Sequence, residues 1–122
     1  MADLPPAVQA AVKEQAKAGK LRGLTKEVKE GKTFYEAELR VNGKTRDVTF
    51  DETGALVSVE QEVALATAPP AVRAALEQMK GNGKIIRFEQ VTAGPKVYYE
   101  ADIRKAGKET EVKLDPDGKV IE

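Results

Sequence analysis

The sequence predicts an α+β protein built from two tandem units, each a helix followed by four antiparallel strands. Three observations lead to this prediction. The segment PPAVQAAV at 5–12 returns as PPAVRAAL at 69–76. Apolar residues recur with a helical period at the start of each unit and with a period of two after it. We therefore expect units at residues 1–64 and 65–122, with both helices packed on one face of the sheet or sheets and the other face open.

The repeat extends far beyond the helix. Aligning residues 5–58 with 69–122 gives 18 identical pairs among 54, without a gap. Turn glycines stay in phase along this alignment, Gly43 with Gly107 and Gly54 with Gly118. Because turn residues decide where a chain reverses, two segments that share them are expected to share a topology.

Each unit is predicted to open with a short helix. Asp3 and Thr67 are predicted N-cap residues, and the prolines after them suit a first turn, where a missing N–H costs little. Gly19 and Gly83 are expected to close the helices. Apolar stripes with helical spacing should face the core. These stripes are Leu4, Val8, Ala11 and Val12 in the first unit and Ala68, Val72, Ala75, Leu76 and Met79 in the second.

Strands are predicted where the period changes to two. Residues 34–41 (FYEAELRV) and 98–105 (YYEADIRK) alternate cleanly, whereas 24–29 and 85–92 show weaker patterns for a preceding strand. Residues 56–63 (LVSVEQEV) are predicted as the fourth strand of the first unit. The closing KVIE begins the matching strand of the second unit, and the sequence leaves open whether that strand is truncated.

Two kinds of turn join these strands. Asn42-Gly43 is a strong two-residue hairpin signal, and it places Leu39 opposite Arg46. The aspartates of DPDG at 115–118 could suggest a calcium loop, but the flanking strand patterns favour a hairpin turn. The register then predicts a core face in each unit. Its residues are Tyr35, Ala37, Leu39, Val48 and Phe50 in the first unit and Tyr99, Ala101, Ile103, Val112 and Leu114 in the second.

Composition narrows the chemistry of the chain. There is no histidine and no cysteine, which excludes an imidazole base, a thiolate nucleophile and a disulfide. Lysine plus arginine and aspartate plus glutamate number 20 each, so no basic excess points to nucleic acid. No apolar run is long enough to insert in a membrane. We predict no enzyme activity, no cofactor and no metal site.

The same register leaves a second set of side chains on the open face. The candidate partner-binding residues are Phe34, Glu36, Glu38, Arg40 and Asp47 in the first unit and Tyr98, Glu100, Asp102, Arg104 and Glu111 in the second. The register places Glu38 across from Asp47, and Asp102 across from Glu111, although like charges at cross-strand distance are normally unfavourable.

These acidic pairs allow several interpretations. They could await lysine or arginine groups of a partner protein, with Phe34 and Tyr98 as aromatic anchors. They could instead be solvated acids, relieved by Arg40, Arg104 and Lys113 nearby. Facing carboxylates could also hold a divalent ion or share a proton, but the sequence shows neither a nucleophile nor a lid.

Three stretches of each unit resemble the PepSY-like, beta-lactamase-inhibitor-like family. They are LPPAVQAAV, FYEAEL and VTFDETGALVSVE in the first unit, and PPAVRAAL, YYEADI and VKLDPDGKVIE in the second. The resemblance covers nearly the whole chain. It implies a bacterial protein without catalysis of its own, periplasmic or secreted, whose signal peptide has been removed.

The resemblance also implies a function class. Related domains act as beta-lactamase inhibitors, as propeptide-borne regulators of peptidases or in envelope assembly. Inhibitors of this general architecture carry disulfides and docking loops that this chain lacks, so beta-lactamase itself is not the expected target. We expect an interaction or inhibitor-like module whose unidentified protein partner, such as a peptidase or another envelope protein, binds the open face. The alternative is an envelope domain that binds a small ligand or divalent cation there.

Overall fold

The structure is a computed structural model that describes residues 4–121 of the chain. These residues fall into two compact units, divided between Gln61 and Glu62. We call them the first and the second unit. The first contains helix α1 (Pro6–Ala16) and strands β1 (Lys20–Lys29), β2 (Lys32–Val41), β3 (Lys44–Asp51) and β4 (Leu56–Glu62), whose last residue belongs to the second unit.

The second unit repeats this order. A 3-10 turn (Leu65–Thr67) leads into helix α2 (Pro70–Lys80), which is followed by β5 (Lys84–Ala93), β6 (Lys96–Lys105) and β7 (Lys108–Leu114). Within each unit, consecutive strands pair antiparallel. The predicted α+β class with antiparallel strands and one helix per unit is therefore confirmed.

The fourth strand predicted for the second unit is much shorter than β4, its counterpart in the first unit. After the turn at Asp115, only an isolated bridge between Leu114 and Val120 follows, with one backbone hydrogen bond from Ile121 N to Lys113 O at 2.9 Å. The same turn in the first unit leads into the seven residues of β4. Among the described residues, the predicted fourth strand of the second unit is therefore represented only by this bridge and this hydrogen bond.

The predicted core faces are confirmed. In the first unit, Val8 and Val12 of α1 pack on the five predicted strand residues, all of which are buried. In the second unit, Val72 and Leu76 of α2 cover the corresponding face. Val112 is the exception among the predicted core residues, because it is only half-buried. It borders an open depression that is described below.

The hairpin register is also confirmed, and the turns explain it. Asn42 and Gly43 have φ angles of 52° and 79°, and Ala106 and Gly107 have 53° and 77°. Both pairs therefore form the two-residue turn with positive φ at each position. Leu39 lies opposite Arg46, as predicted. Because side chains alternate along a strand, this register decides which residues point away from the helix.

The predicted helix caps need correction. Asp3 lies outside the described residues. Thr67 is not an N-cap: its hydroxyl donates to Ala64 O at 2.6 Å inside the 3-10 turn, and Pro69 occupies the N-cap position of α2. A proline there fixes the extended backbone that precedes the helix.

The glycines after the helices also have a different role from the predicted one. Helix α1 ends at Ala16 and α2 at Lys80, where Gly81 is the C-cap with a φ of 52°. A Cβ at Gly19 would lie 2.3 Å from Arg40 O, and one at Gly83 would lie 2.5 Å from Arg104 O. These two glycines therefore allow the chain to pass close to the neighbouring strand.

The aspartate turns are hairpin turns, as predicted. The Asp115 Oδ1 accepts hydrogen bonds from the backbone N–H groups of Asp117 and Lys119 at 2.9 and 3.0 Å. Asp51 accepts equivalent bonds in the first unit. The hydrogen bond from the Thr53 hydroxyl is the main cause that lowers the pKa of the Asp51 carboxyl, and the backbone bonds lower it as well. The carboxylates thus close the turns by the local bonding that is typical of aspartate.

Candidate functional site

The open face of the first unit gathers the candidate residues of β2 and β3. Phe34, Glu36 and Glu38 alternate with the buried residues of β2, and Glu38 lies directly across from Asp47, as predicted. Strand β1 adds Glu27 opposite Phe34. We call Glu27, Glu36, Glu38 and Asp47 the acidic cluster. The fifth candidate, Arg40, lies nearer the turn, where its guanidinium donates to Gly43 O at 3.4 Å.

The acidic cluster changes the proton affinity of Glu36. Partial burial raises the pKa of the Glu36 carboxyl, and the charges of Asp47, Glu27 and Glu38 raise it further, whereas Lys29 lowers it. Among residues 4–121, Glu36 and Glu38 form no salt bridge within 4 Å. Negative charge is therefore concentrated on this face, and the Glu36 carboxylate within it is partly buried among apolar atoms.

A shallow depression of about 240 Å³ lies on the same face. Phe34 forms an aromatic wall, and Glu27 and Glu36 contribute carboxylates. Its remaining lining residues are Lys29, Thr49, Val57, Ser58 and Glu60. The sequence prediction missed Glu27 and Glu60. Only the pairing of β1 with β2 and of β3 with β4 shows that they lie beside the predicted residues.

The second unit presents the equivalent residues with compensating charges. The Lys113 Nζ lies 3.7 Å from the Glu100 Oε1 and 6.0 Å from the centroid of the Tyr98 ring. Burial and the charge of Glu111 raise the pKa of Glu100, whereas Lys113 lowers it. Asp102 lies across from Glu111, as predicted.

Two further ion pairs lie on this second open face. The Arg87 guanidinium is 3.0 Å from the carboxylate of Glu89, a residue with only 4% of its surface exposed. Arg104 pairs with Glu109 at 2.5 Å. Of the three cations predicted to relieve the open-face acids, Lys113 pairs with Glu100, which belongs to neither acidic pair, and Arg104 pairs with Glu109 of its own hairpin. Arg40 donates to Gly43 O instead.

The difference between the two faces comes from a few substitutions in one backbone pattern. The repeat aligns Thr49 with Lys113 and Gly23 with Arg87. Each of these positions is directly opposite an acidic candidate: Thr49 opposite Glu36, and Lys113 opposite Glu100. The second open face thus has a lysine beside Glu100, whereas in the first the Lys29 Nζ lies 3.4 Å from Glu27, and Glu36 has no equivalent lysine opposite it. No helix among residues 4–121 is long and apolar enough to cross a membrane.

Comparison with known proteins agrees with this fold. The chain matches the family described as "Putative beta-lactamase-inhibitor-like, PepSY-like" over residues 1–57 and 33–122, and it belongs to that family. No curated protein matches the sequence. The resemblance stated from the sequence motifs is therefore confirmed.

Solved structures from Bacteroides share the fold at low identity. A protein of B. eggerthii, described as a "putative periplasmic" protein, is 19% identical with a TM-score of 0.79, covering 98% of this chain and 86% of its own. A DUF2874 family protein of B. uniformis is 22% identical with a TM-score of 0.76, covering 97% and 86%. A BLIP-like protein of B. fragilis is 20% identical with a TM-score of 0.69, covering 98% and 84%.

Proposed function

We propose that this member of the family is a non-catalytic protein-interaction module of the bacterial cell envelope. The open face of its first unit would bind a partner protein that presents lysine or arginine side chains. The single observation that supports this most is that Glu36 lies beside Phe34 and Glu38 on the same open face, with no salt bridge to either glutamate among residues 4–121. The corresponding glutamate of the second unit has Lys113 as its ion-pair partner.

The chemistry of the depression favours a cationic group. A lysine or arginine placed over Phe34 would gain a contact with the ring face and a charge-assisted hydrogen bond to Glu36, and it would share Glu27 with Lys29, whose Nζ lies 3.4 Å from the Glu27 carboxylate. Such a cation would also offset the like-charge repulsion that, after partial burial, raises the pKa of Glu36. Two effects, attraction to the aromatic ring and relief of like-charge repulsion, thus act in the same direction.

The shape of the face favours a protein over a small molecule. Small ligands bind in concave sites that bury most of their surface, whereas the depression beside Phe34 is shallow and lies on an open sheet. Aromatic and charged residues on a flat face are typical of protein interfaces. An inhibitor-like role and a periplasmic location are supported by the family and by the B. eggerthii neighbour, and both are parts of this proposal.

Charge reversal in matched pairs tests the proposal. Wild-type protein, a Glu36→Lys/Glu38→Lys variant and a Glu100→Lys/Asp102→Lys variant would each capture proteins from a periplasmic extract of the source organism. We expect at least one protein to be retained by the wild type and by the second-unit variant. For the first-unit variant, quantitative mass spectrometry of that protein should show a loss of about tenfold or more, as reversal of a close charge pair requires.

Binding of the retained protein should also weaken as salt is added, because salt screens exposed charges. If the first-unit variant keeps the same partners as the wild type, at unchanged thermal stability, the proposal is wrong. If no protein is retained but Ca²⁺ or Mg²⁺ raises the melting temperature of the wild type alone, the cation-binding alternative takes its place.

A further inference from the structure

The open faces of β2 and β6 carry the same order of side chains. In each strand a lysine is followed by an aromatic residue, two acids and an arginine. These residues are Lys32, Phe34, Glu36, Glu38 and Arg40 in β2, and Lys96, Tyr98, Glu100, Asp102 and Arg104 in β6. The first acid and the arginine are four residues apart, which corresponds to about 13 Å along a strand. Each open face therefore presents an anion and a cation at the same spacing.

The second unit neutralises both of these charges within itself. Strand β7 places Lys113 opposite Glu100 and Glu109 opposite Arg104. The Lys113 Nζ lies 3.7 Å from the Glu100 Oε1, and the Arg104 guanidinium pairs with the Glu109 carboxylate. The strand beside β6 thus supplies a base for the anion and an acid for the cation.

The first unit has threonines at both of these positions. Strand β3 places Thr49 opposite Glu36 and Thr45 opposite Arg40. Among residues 4–121, neither Glu36 nor Arg40 forms a salt bridge within 4 Å. Strand β1 adds a second cation, Lys20, directly opposite Arg40. The first open face therefore keeps an anion and a cation that the neighbouring strand does not neutralise.

We propose that the partner of the first open face supplies both of the charges that β3 lacks: a lysine or arginine at Glu36, and an aspartate or glutamate at Arg40 about 13 Å away. This inference rests on the proposed function, because it concerns the same face, and it adds the acid and the spacing. The Arg40 guanidinium has five N–H donors, and its bond to Gly43 O uses one of them. It can therefore bind a carboxylate with two parallel hydrogen bonds, and Lys20 adds to the attraction.

Two opposite charges at a fixed spacing select against other classes of partner. A uniformly basic segment would pair with Glu36 but would meet like charge at Arg40 and Lys20. A polyanion would pair with Arg40 but would meet the acidic cluster. Like charges that are brought together at an interface lower the affinity and exclude wrong partners. The face therefore fits a protein segment with one base and one acid, whose order decides the direction in which the segment lies.

Two capped peptides test this inference by NMR. Glu-Thr-Gln-Val-Lys carries an acid and a base four residues apart, and Gln-Thr-Gln-Val-Lys lacks only the acid. Each would be added at low salt to ¹⁵N-labelled protein, at up to about 5 mM, so that weak binding is measurable. We expect the acidic peptide to shift the amide signals of Glu36 and Arg40 together. It should bind about threefold or more tightly than its control, as one exposed ion pair allows.

Matched substitutions in the two units assign this difference to Arg40. Arg40→Gln should make the two peptides bind equally. Arg104→Gln should leave their difference unchanged, because Arg104 already pairs with Glu109. Thr45→Glu gives the first unit the acid that the second has as Glu109, so it should also make the two peptides bind equally. A ¹H–¹⁵N correlation spectrum of each variant checks that it is folded.

Equal binding of the two peptides to the wild type would overturn the inference, as would signals that shift only around Glu36 or nowhere. Capture from the periplasmic extract separates this failure from failure of the proposed function. Arg40→Glu makes the face more acidic, so it should retain a purely cationic partner more strongly. We expect it instead to lose about threefold or more of the protein that the wild type retains.

The two capture variants then give different outcomes for the two proposals. If Arg40→Glu retains the protein as well as the wild type does, and Glu36→Lys/Glu38→Lys loses it, the inference is wrong and the proposed function stands. If neither variant loses it, both are wrong.

Discussion

The two units place different charges on the same backbone positions. Glu36 is a partly buried glutamate on the open face of β2. The first unit has Thr49 opposite it, whereas the second unit has Lys113 opposite Glu100. Burial raises the pKa of both glutamates, but only Glu100 has a lysine close enough to form an ion pair. The difference teaches that a repeat can preserve its register while the cation opposite one of its open-face glutamates is gained or lost.

The helix-facing sides of the two units also differ, and on that side the first unit has the polar side chains that bond to each other. The first unit closes the gap beside its helix with Arg46 and Gln15, whereas the second leaves Thr110 and Met79 around an open apolar depression. The first unit thus has a polar contact between helix and sheet where the second has apolar side chains, and the second has a lysine beside its open-face glutamate where the first has a threonine.

The largest effects on the free energy of unfolding are expected from substitutions in the two hydrophobic cores. Leu39→Ala and Ile103→Ala remove equivalent side chains, and each should lower the free energy of unfolding by about 2 to 5 kcal/mol in chemical denaturation. Leu39 should lie at the upper end, because it is fully buried. Ile103 lines the depression, where water or neighbouring side chains can relax into the space. A near-neutral result for both would contradict the assignment of the faces.

A smaller effect on the free energy of unfolding is expected at the positions where the helix-facing sides of the two units differ. Arg46→Thr copies the second unit into the first and removes the hydrogen bonds to Gln61 and Gln15. It should cost about 1.5 to 3 kcal/mol of unfolding free energy, the usual range for hydrogen bonds to a charged group. Thr110→Arg, the reverse exchange, should leave stability unchanged or higher in the same urea titration. A loss of stability in Thr110→Arg equal to that in Arg46→Thr would contradict the described packing.

The smallest stability effect concerns the two glutamates. Because folding raises the pKa of Glu36, the folded protein binds this proton more tightly than the unfolded chain. Its contribution is therefore most favourable at acidic pH and is lost as the pH rises through the folded pKa. Glu36→Gln should stabilise the protein by less than about 1 kcal/mol at neutral pH, since the side chain is only partly buried. The gain should vanish at acidic pH.

Glu100→Gln provides the comparison for that measurement. It removes a similar, partly buried charge but also the ion pair with Lys113. Its gain in the free energy of unfolding at neutral pH should therefore be smaller than that of Glu36→Gln. Urea denaturation of both variants at acidic and neutral pH measures the difference. A larger gain in Glu100→Gln would mean that Lys113 does not compensate its glutamate.

The sequence predicts the register well because local signals agree there. Asn42-Gly43 defines the turn, and the alternation around Leu39 leaves one choice of buried face, so the opposition of Glu38 and Asp47 follows. The strands that precede these hairpins are weaker predictions, and the structure shows the reason. All residues of β1 after Leu24 are exposed, so no apolar face marks that strand. In β5 the register shifts between Ile85 and Arg87, so the alternation of apolar residues is interrupted at that bulge.

The parts of the site that escaped prediction depend on contacts distant in sequence. Glu27 and Glu60 join the depression only through the pairing of β1 with β2 and of β3 with β4. The openness beside Thr110 depends on which side chains α2 and β6 place there, and no short sequence pattern predicts this.

The residue type of Thr67 predicts a helix cap, but the 3-10 turn uses its hydroxyl instead. The division into repeats at 64 and 65 and the partner-binding roles stay predictions.

The titration of Glu36, followed by NMR of its side-chain carboxyl in the wild type and in Thr49→Lys, tests the central claim most directly. The claim predicts a wild-type pKa above that of an ordinary glutamate, and a lower one when Thr49→Lys supplies the cation that the second unit has at this position. A wild-type Glu36 that titrates like a glutamate in an unfolded peptide, and that does not respond to the new lysine, would contradict it.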